Sequence, residues 1–244
     1  MSKIKILPLL ILFAVAGIIP NAQIFAQEHE ETGLHSGKGY FMFGWNKLNI
    51  GNLNTQLAAK GYSQLSDNLF SFGGGGFGII NNFLLGGEGH GLYGTTVASG
   101  NYNLSLTAGY GFFDIGYVVF SSESVSIFPI IGIGGGGITL DITNRNALTF
   151  DEILDEPGRM SKLSAGGFLM NFSIGADYII DMGNNDNESN GGLAVGIIAG
   201  YTFAPMKGQW QMNQVTVSGG PEVGVDGFYI RLMIGGGGMK KTNE

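Results

Sequence analysis

Four consecutive glycines interrupt apolar, strand-like text three times, in SFGGGGFGII (71–80), IGIGGGGITL (131–140) and LMIGGGGMKK (232–241). Glycine weakens an ordinary strand: it loses the most backbone entropy on folding and offers no side chain to pack. A chain that repeats the pattern must fold where lack of bulk is itself required. Glycine accounts for 44 of the 244 residues, against a usual ~7%. Yet 44% of the chain is hydrophobic and 11% aromatic, so it is not a disordered glycine-rich linker.

Alternation and turn residues divide the chain into eight strand candidates, at 39–48, 69–80, 83–97, 101–120, 124–142, 162–180, 191–204 and 226–238. NLNTQLAAKG (52–61) is the one plausible helical turn. The connections alternate in length: those at 49–67, 143–161 and 205–225 are long, whereas Asn81-Asn82, ASG and SSE are short and DMGNNDNESN is compact.

Each strand has a bulky apolar face and a small or polar one. Phe228, Ile230, Leu232 and Ile234 oppose Tyr229, Arg231 and Met233. Phe172, Ile174, Ala176, Tyr178 and Ile180 oppose Asn171, Ser173, Gly175 and Asp177. The second face has almost no Lys or Glu to meet water. Charged residues are only 13% of the chain, about half the usual ~25%. The bulky face therefore belongs in lipid and the small face in a narrow lumen. An eight-stranded barrel interior is just wide enough for side chains to fill, and glycines there make room for large neighbours.

The N-terminus reads as a secretory signal peptide over 1–26: Lys3 and Lys5, an apolar run from Leu7 to Ile19, then small residues with cleavage expected after Ala22 or Ala26. Residues 27–37 read as a short polar segment, 38–239 as the barrel and 240–244 as a polar tail. The net charge is −7; without Lys3 and Lys5, ten basic residues face 19 acidic ones, and no basic stripe marks a nucleic-acid site. With no Cys there is no disulfide, thiol chemistry or lipoprotein anchor.

The signal peptide, the eight alternating segments and the aromatic-rich strand ends (Tyr40, Trp45, Tyr93, Tyr110, Tyr117, Tyr178, Tyr201 and Phe203) carry a resemblance. The chain resembles the small eight-stranded outer-membrane β-barrels of Gram-negative bacteria, in the style of the OmpA membrane domain. The resemblance implies an all-β, antiparallel up-and-down transmembrane barrel in the outer membrane. It implies contact with membrane lipid and the outer-membrane assembly machinery, and loops free to bind an extracellular ligand. One departure is that such barrels usually finish on an aromatic residue, whereas this chain continues as MKKTNE.

Other motifs carry little chemistry. GHGLYG (89–94) matches G-x-G-x-x-G, but a strand end and a turn follow it where a dinucleotide site needs a helix. The tetraglycines lack the Lys-Ser/Thr of a phosphate loop, and DNESNG (186–191) starts like a calcium loop but has Ile197 where a bidentate Glu is required. No cofactor or metal is expected. Glu88 and His90 share the lumenal face. Beside a serine they would suit a lipid-modifying hydrolase; otherwise Glu88, His90, Asp177 and Arg231 form an internal polar network. Asp114, mid-strand among apolar neighbours, requires a bulge at Gly109 or Gly111 to turn inward, or a place at the membrane rim. A third reading is a soluble secreted barrel, bulky face inward, that binds a small apolar ligand.

Overall fold

The computed structural model describes residues 34–122, 124–145, 149–155, 160–181 and 190–241. The signal-peptide reading and the incomplete calcium loop at 186–191 fall largely or wholly outside these residues. The eight long strands are β1 (Leu34–Leu48), β2 (Asn68–Ile80), β3 (Phe83–Tyr93), β4 (Tyr102–Tyr117), β5 (Val125–Asn144), β6 (Met160–Asp181), β7 (Asn190–Lys207) and β8 (Gly227–Lys241). Each pairs antiparallel with its neighbour in sequence, and β8 closes on β1 from Gly227↔Leu48 to Lys241↔Leu34. The result is a closed eight-stranded barrel with no free edge. The outer strands reach further than expected: β1 begins at Leu34 and β8 runs to Lys241, so parts of the two polar segments are sheet.

The bulky faces point outward. Trp45 is 61% exposed and Phe228 68%, with Phe83, Ile115, Ile131, Ile174 and Leu232 also exposed around the ring. This overturns the soluble reading, which needed those side chains inside. Aromatic pairs lie toward both ends of the outer surface: Trp45–Phe70 and Tyr201–Phe228 at the long-loop end, Phe83–Tyr117 at the short-turn end. Such girdles flank the apolar band of a transmembrane barrel. Tyr40 and Tyr110 are not part of them; both point into the lumen and are buried.

The register explains the glycine tracts. Each inward-facing glycine lies directly across from a large lumenal side chain on the next strand. Gly73 and Gly75 face His90 and Glu88. Gly132, Gly134 and Gly136 face Asp114, Phe112 and Tyr110. Gly235 and Gly237 face Tyr40 and Lys38, and Gly44 faces Arg231. A Cβ on Gly73 would sit 2.7 Å from His90 Nδ1, on Gly134 2.9 Å from Phe112 Cδ1 and on Gly237 2.8 Å from Lys38 Cγ. Asp114 reaches the lumen by this same alternation, in unbroken register with both neighbours, and the expected bulge at Gly109 or Gly111 is not there. The irregularity in the ladder falls instead between Phe168 and Met170, where β6 meets β7.

The β5–β6 hairpin overruns the bilayer. Its strands have 20 and 22 residues, where a transmembrane strand needs about 9–11. The outward face turns from Ile131 and Ile133 to Thr139 and Asp141 on β5, and from Phe172 and Phe168 to Ser164 and Lys162 on β6. That change marks where the wall leaves lipid. At the other end, Asn81 and Asn82 both adopt positive φ, 49° and 68°, the two-residue turn whose twist suits a hairpin.

Neighbouring glycines of one tract separate lumenal fit from backbone propensity. Gly134→Ala should destabilise the refolded barrel by about 1–3 kcal/mol, as overpacking does. Gly135→Ala, whose Cβ faces outward at 3.5 Å from the nearest atom, should stay within about 1 kcal/mol of wild type. Urea midpoints in lipid vesicles would report both.

Candidate functional site

The lumen is layered, and the layers follow from the alternation of β1. Leu48, Asn46, Gly44, Met42, Tyr40 and Lys38 step inward-facing from the loop end to the turn end. Leu48 joins an apolar layer with Leu69, Leu92, Leu104 and Leu106. Met42 and Tyr40 join a second, with Phe77, Phe128, Ile130 and Met233. Between the two lies a polar belt.

Arg231 centres the belt and is 1% exposed. Its Nη1 donates to Glu88 Oε1 at 3.2 Å and lies 3.2 Å from His90 Nε2. Nη2 donates to the Tyr110 hydroxyl, and the guanidinium lies 3.7 Å from the centre of the Tyr229 ring. Tyr229 donates onward to Asn171 Oδ1 at 2.8 Å. His90 Nε2 also lies 3.4 Å from Glu88 Oε2, so it sits between a cation and a carboxylate.

Asp177 is not in this belt. It accepts two hydrogen bonds from Lys38 Nζ, at 2.9 and 3.0 Å, and one from the Tyr40 hydroxyl at 2.5 Å. Lys38 also reaches Ser126 at 3.4 Å. The four residues expected to pair inside the barrel thus divide: Glu88, His90 and Arg231 meet in the belt, and Asp177 meets Lys38 nearer the turns. A buried ion pair is tolerated when its remaining lone pairs and protons are also used, and the tyrosines do much of that here. Sequence reasoning missed Lys38, because the segment before it is polar. Its two-residue spacing from Tyr40 and Met42 was the available signal.

Ser71 is the serine on the strand next to His90, opposite Leu92, and it is wholly buried. Its hydroxyl has no partner among the described residues. Glu88 and His90 side chains are likewise buried, at 1% and 0% exposure, and the apolar layer lies between them and the loop end.

The loop end carries a folded cover. α1 (Gly51–Ala59) buries Leu53 and Leu57. Both side-chain atoms of Asn54 bond the backbone of Leu65, at 2.8 and 2.9 Å. Asn49 N donates to Asp226 O and Ser63 N to Ser99 Oγ, both at 2.8 Å, which ties three of the four loops together. Trp210 is buried, with Nε1 donating to Pro221 O at 2.8 Å. A small hairpin, Gln211–Met212 with Val215–Thr216, adds to β6 through Gln211↔Ser164. The fourth loop holds a second helix, α2 (Phe150–Asp155), whose Phe150 and Leu154 are exposed. Between α1, Trp210 and the overhanging β5–β6 hairpin lies a cavity of about 250 Å³.

Closed topology, a lipid-facing apolar band and a packed polar lumen define a small eight-stranded transmembrane β-barrel, built as the outer-membrane barrels are. Neither a family model nor a curated relative matches the chain. Among solved structures it is similar to Ail, the attachment invasion locus protein of Yersinia pestis, at 12% identity and TM-score 0.41, over 86% of this chain and 99% of that one. It is also similar to Neisserial surface protein A, at 10% and 0.30 over 86% and 97%, and to the outer membrane protease OmpT of Escherichia coli, at 9% and 0.22 over 87% and 96%. The class rests on the chain's own topology and outward face.

The belt should behave as one unit. Arg231→Met leaves Glu88 buried without its cation and should cost about 3–5 kcal/mol. Adding Glu88→Leu should recover a large part of that loss, a coupling that a double-mutant cycle of urea melts would measure.

Proposed function

We propose that this is a non-enzymatic integral protein of the bacterial outer membrane that binds ligands or surfaces through its long extracellular loops. The observation that carries the reading is the cover at the loop end. Three of the four loops are joined by hydrogen bonds and share one apolar core with the barrel mouth, from Leu48 and Leu104 through Leu53, Leu57 and Val97 to Trp210, Val223 and Val225. A conducting barrel needs an open mouth, and a packed eight-stranded lumen leaves no water path. A hydrolase needs access to its base, and His90 has none. The accessible chemistry lies on the outside of the cover, where Phe150, Leu154, Met212 and Val215 stand exposed among polar residues. Apolar side chains in that setting mark contact surfaces. Lipid and the assembly machinery are the expected partners of the wall itself.

Fractionation followed by gels of unboiled and boiled samples tests the placement; the expected result is recovery in the outer membrane with a heat-dependent shift in migration. Replacing 208–225 by a short Gly-Ser turn should keep that shift and abolish binding of intact cells to surfaces that the wild type coats. A changed lipid composition after gene deletion, restored by wild type but not by His90→Ala, would overturn the non-enzymatic reading.

A further inference from the structure

We propose that the cavity under the loop cover binds a single-chain fatty carboxylate, with its chain inside and its head group at Lys60. The proposal deepens the surface-binding reading and rests on it for the cavity's outward opening. Three observations support it. First, the walls are aliphatic: Leu53 and Leu57 from α1, Leu140 and Ile142 from β5, Leu163 from β6, with Trp210 across from them. Its volume of about 250 Å³ lies just under the small-molecule range of about 300–1,000 Å³, which suits one chain and not a folded segment.

Second, Gln56 and Lys60, one helical turn apart at the C-terminal end of α1, line the cavity together with Ser218 and Tyr62. The Lys60 ammonium makes no ion pair among the described residues, whereas Lys47, Lys38 and Lys207 pair with Asp67, Asp177 and Asp226. An apolar slot with one free cation at its edge complements an amphiphile that is anionic at one end. Third, the surrounding backbone is already paired: Val217 N donates to Trp210 O at 2.7 Å, and Gly219 O accepts from Gln56 at 3.4 Å. A peptide strand would find little to bond to, whereas an acyl chain needs no such partners.

Trp210 reports on the site. The chain has two tryptophans, and Trp45 faces lipid, so Trp45→Phe leaves Trp210 as the sole indole. The full-length barrel in lipid nanodiscs is titrated with decanoate and, separately, with decanol. A saturable change in Trp210 emission with decanoate is expected. Lys60→Gln should weaken decanoate about threefold, the range of an exposed charge pair, and leave decanol unchanged. Leu163→Phe, which fills the slot, should weaken both about tenfold while the heat-dependent gel shift shows the barrel intact.

A linear, unsaturable change, identical in Leu163→Phe, would mean partition into the bilayer and would overturn the site. Equal loss of decanol and decanoate in Lys60→Gln would overturn the head-group assignment. A leucine-rich peptide that shifts Trp210 where decanoate does not would overturn it in favour of a protein partner. Cell-surface binding that persists without decanoate binding would sink this inference alone, and decanoate binding without surface binding would sink only the broader reading.

Discussion

The rest of the structure depends on one steric constraint: the interior of a closed eight-stranded barrel is just wide enough for side chains to fill, so the bulkiest lumenal groups need a glycine on at least one of their two flanking ladders. This chain meets it by pairing bulk with glycine. Arg231 faces Gly44, His90 faces Gly73, Phe112 faces Gly134 and Tyr40 faces Gly235. The same rule covers Phe128 against Gly175 and Met233 against Gly196. Glycine also permits the close backbone approach and strong coiling that a narrow barrel demands. The three tetraglycines thus complement bulky groups on β3, β4 and β1, and each tract lies next to its partner strand in the ring. Strand entropy is given up at the tracts because the partner strand needs the volume.

Filling the lumen with charge instead of leucine has a physical cost that pairing must offset. A carboxylate held away from water needs a cation and hydrogen bonds. Glu88 has Arg231, and Asp177 has Lys38, Tyr40 and the long reach from β1 to β6. Such cross-lumen bonds link strands that are not neighbours in the sheet, which a ladder alone cannot do. They also fix register, because a slip of one residue would turn Arg231 into lipid, where a cation is expensive. Asp114 is the exception: both its oxygens are buried and lack a partner among the described residues, beside Gly132 and Asn171. Its place in the lumen follows from alternation, but the described side chains do not satisfy it.

Much of this fold is legible in the sequence because its signals are local. Period-two alternation sets each face, Asn-Asn sets a hairpin, and composition says that the bulky face does not meet water. The eight strands and the helix at α1 follow from those signals with shifts of a few residues at their ends. The site is less legible, because its contacts are between strands far apart in sequence. Nothing local tells Asp177 to choose Lys38, 139 residues away, over Arg231. The bulge expected near Asp114 came from treating a charge among apolar neighbours as an outward residue. In fact Tyr110, Phe112 and Asp114 share the inward face, and the apolar neighbours Phe113 and Ile115 are the lipid-facing ones. The loop cover was invisible for the same reason: Trp210 and Leu57 lie 153 positions apart in sequence and join one apolar core only when the fold stacks them.

The cover follows from the length of β5 and β6. Where these strands leave the bilayer their outer faces become polar, but their inner faces stay apolar through Ile138, Leu140 and Ile142. Inside the membrane the opposite wall would hide such residues; above it there is no opposite wall. Exposed to water, they would form a contiguous apolar patch, so something must lie against them. α1 supplies Leu53 and Leu57, spaced one helical turn apart on a single face, and the last loop supplies Trp210. The fit is incomplete, and the remainder is the cavity. A wall that outgrows the membrane thus creates both the need for folded loops and, where they fall short of filling the space, a binding slot open to the outside.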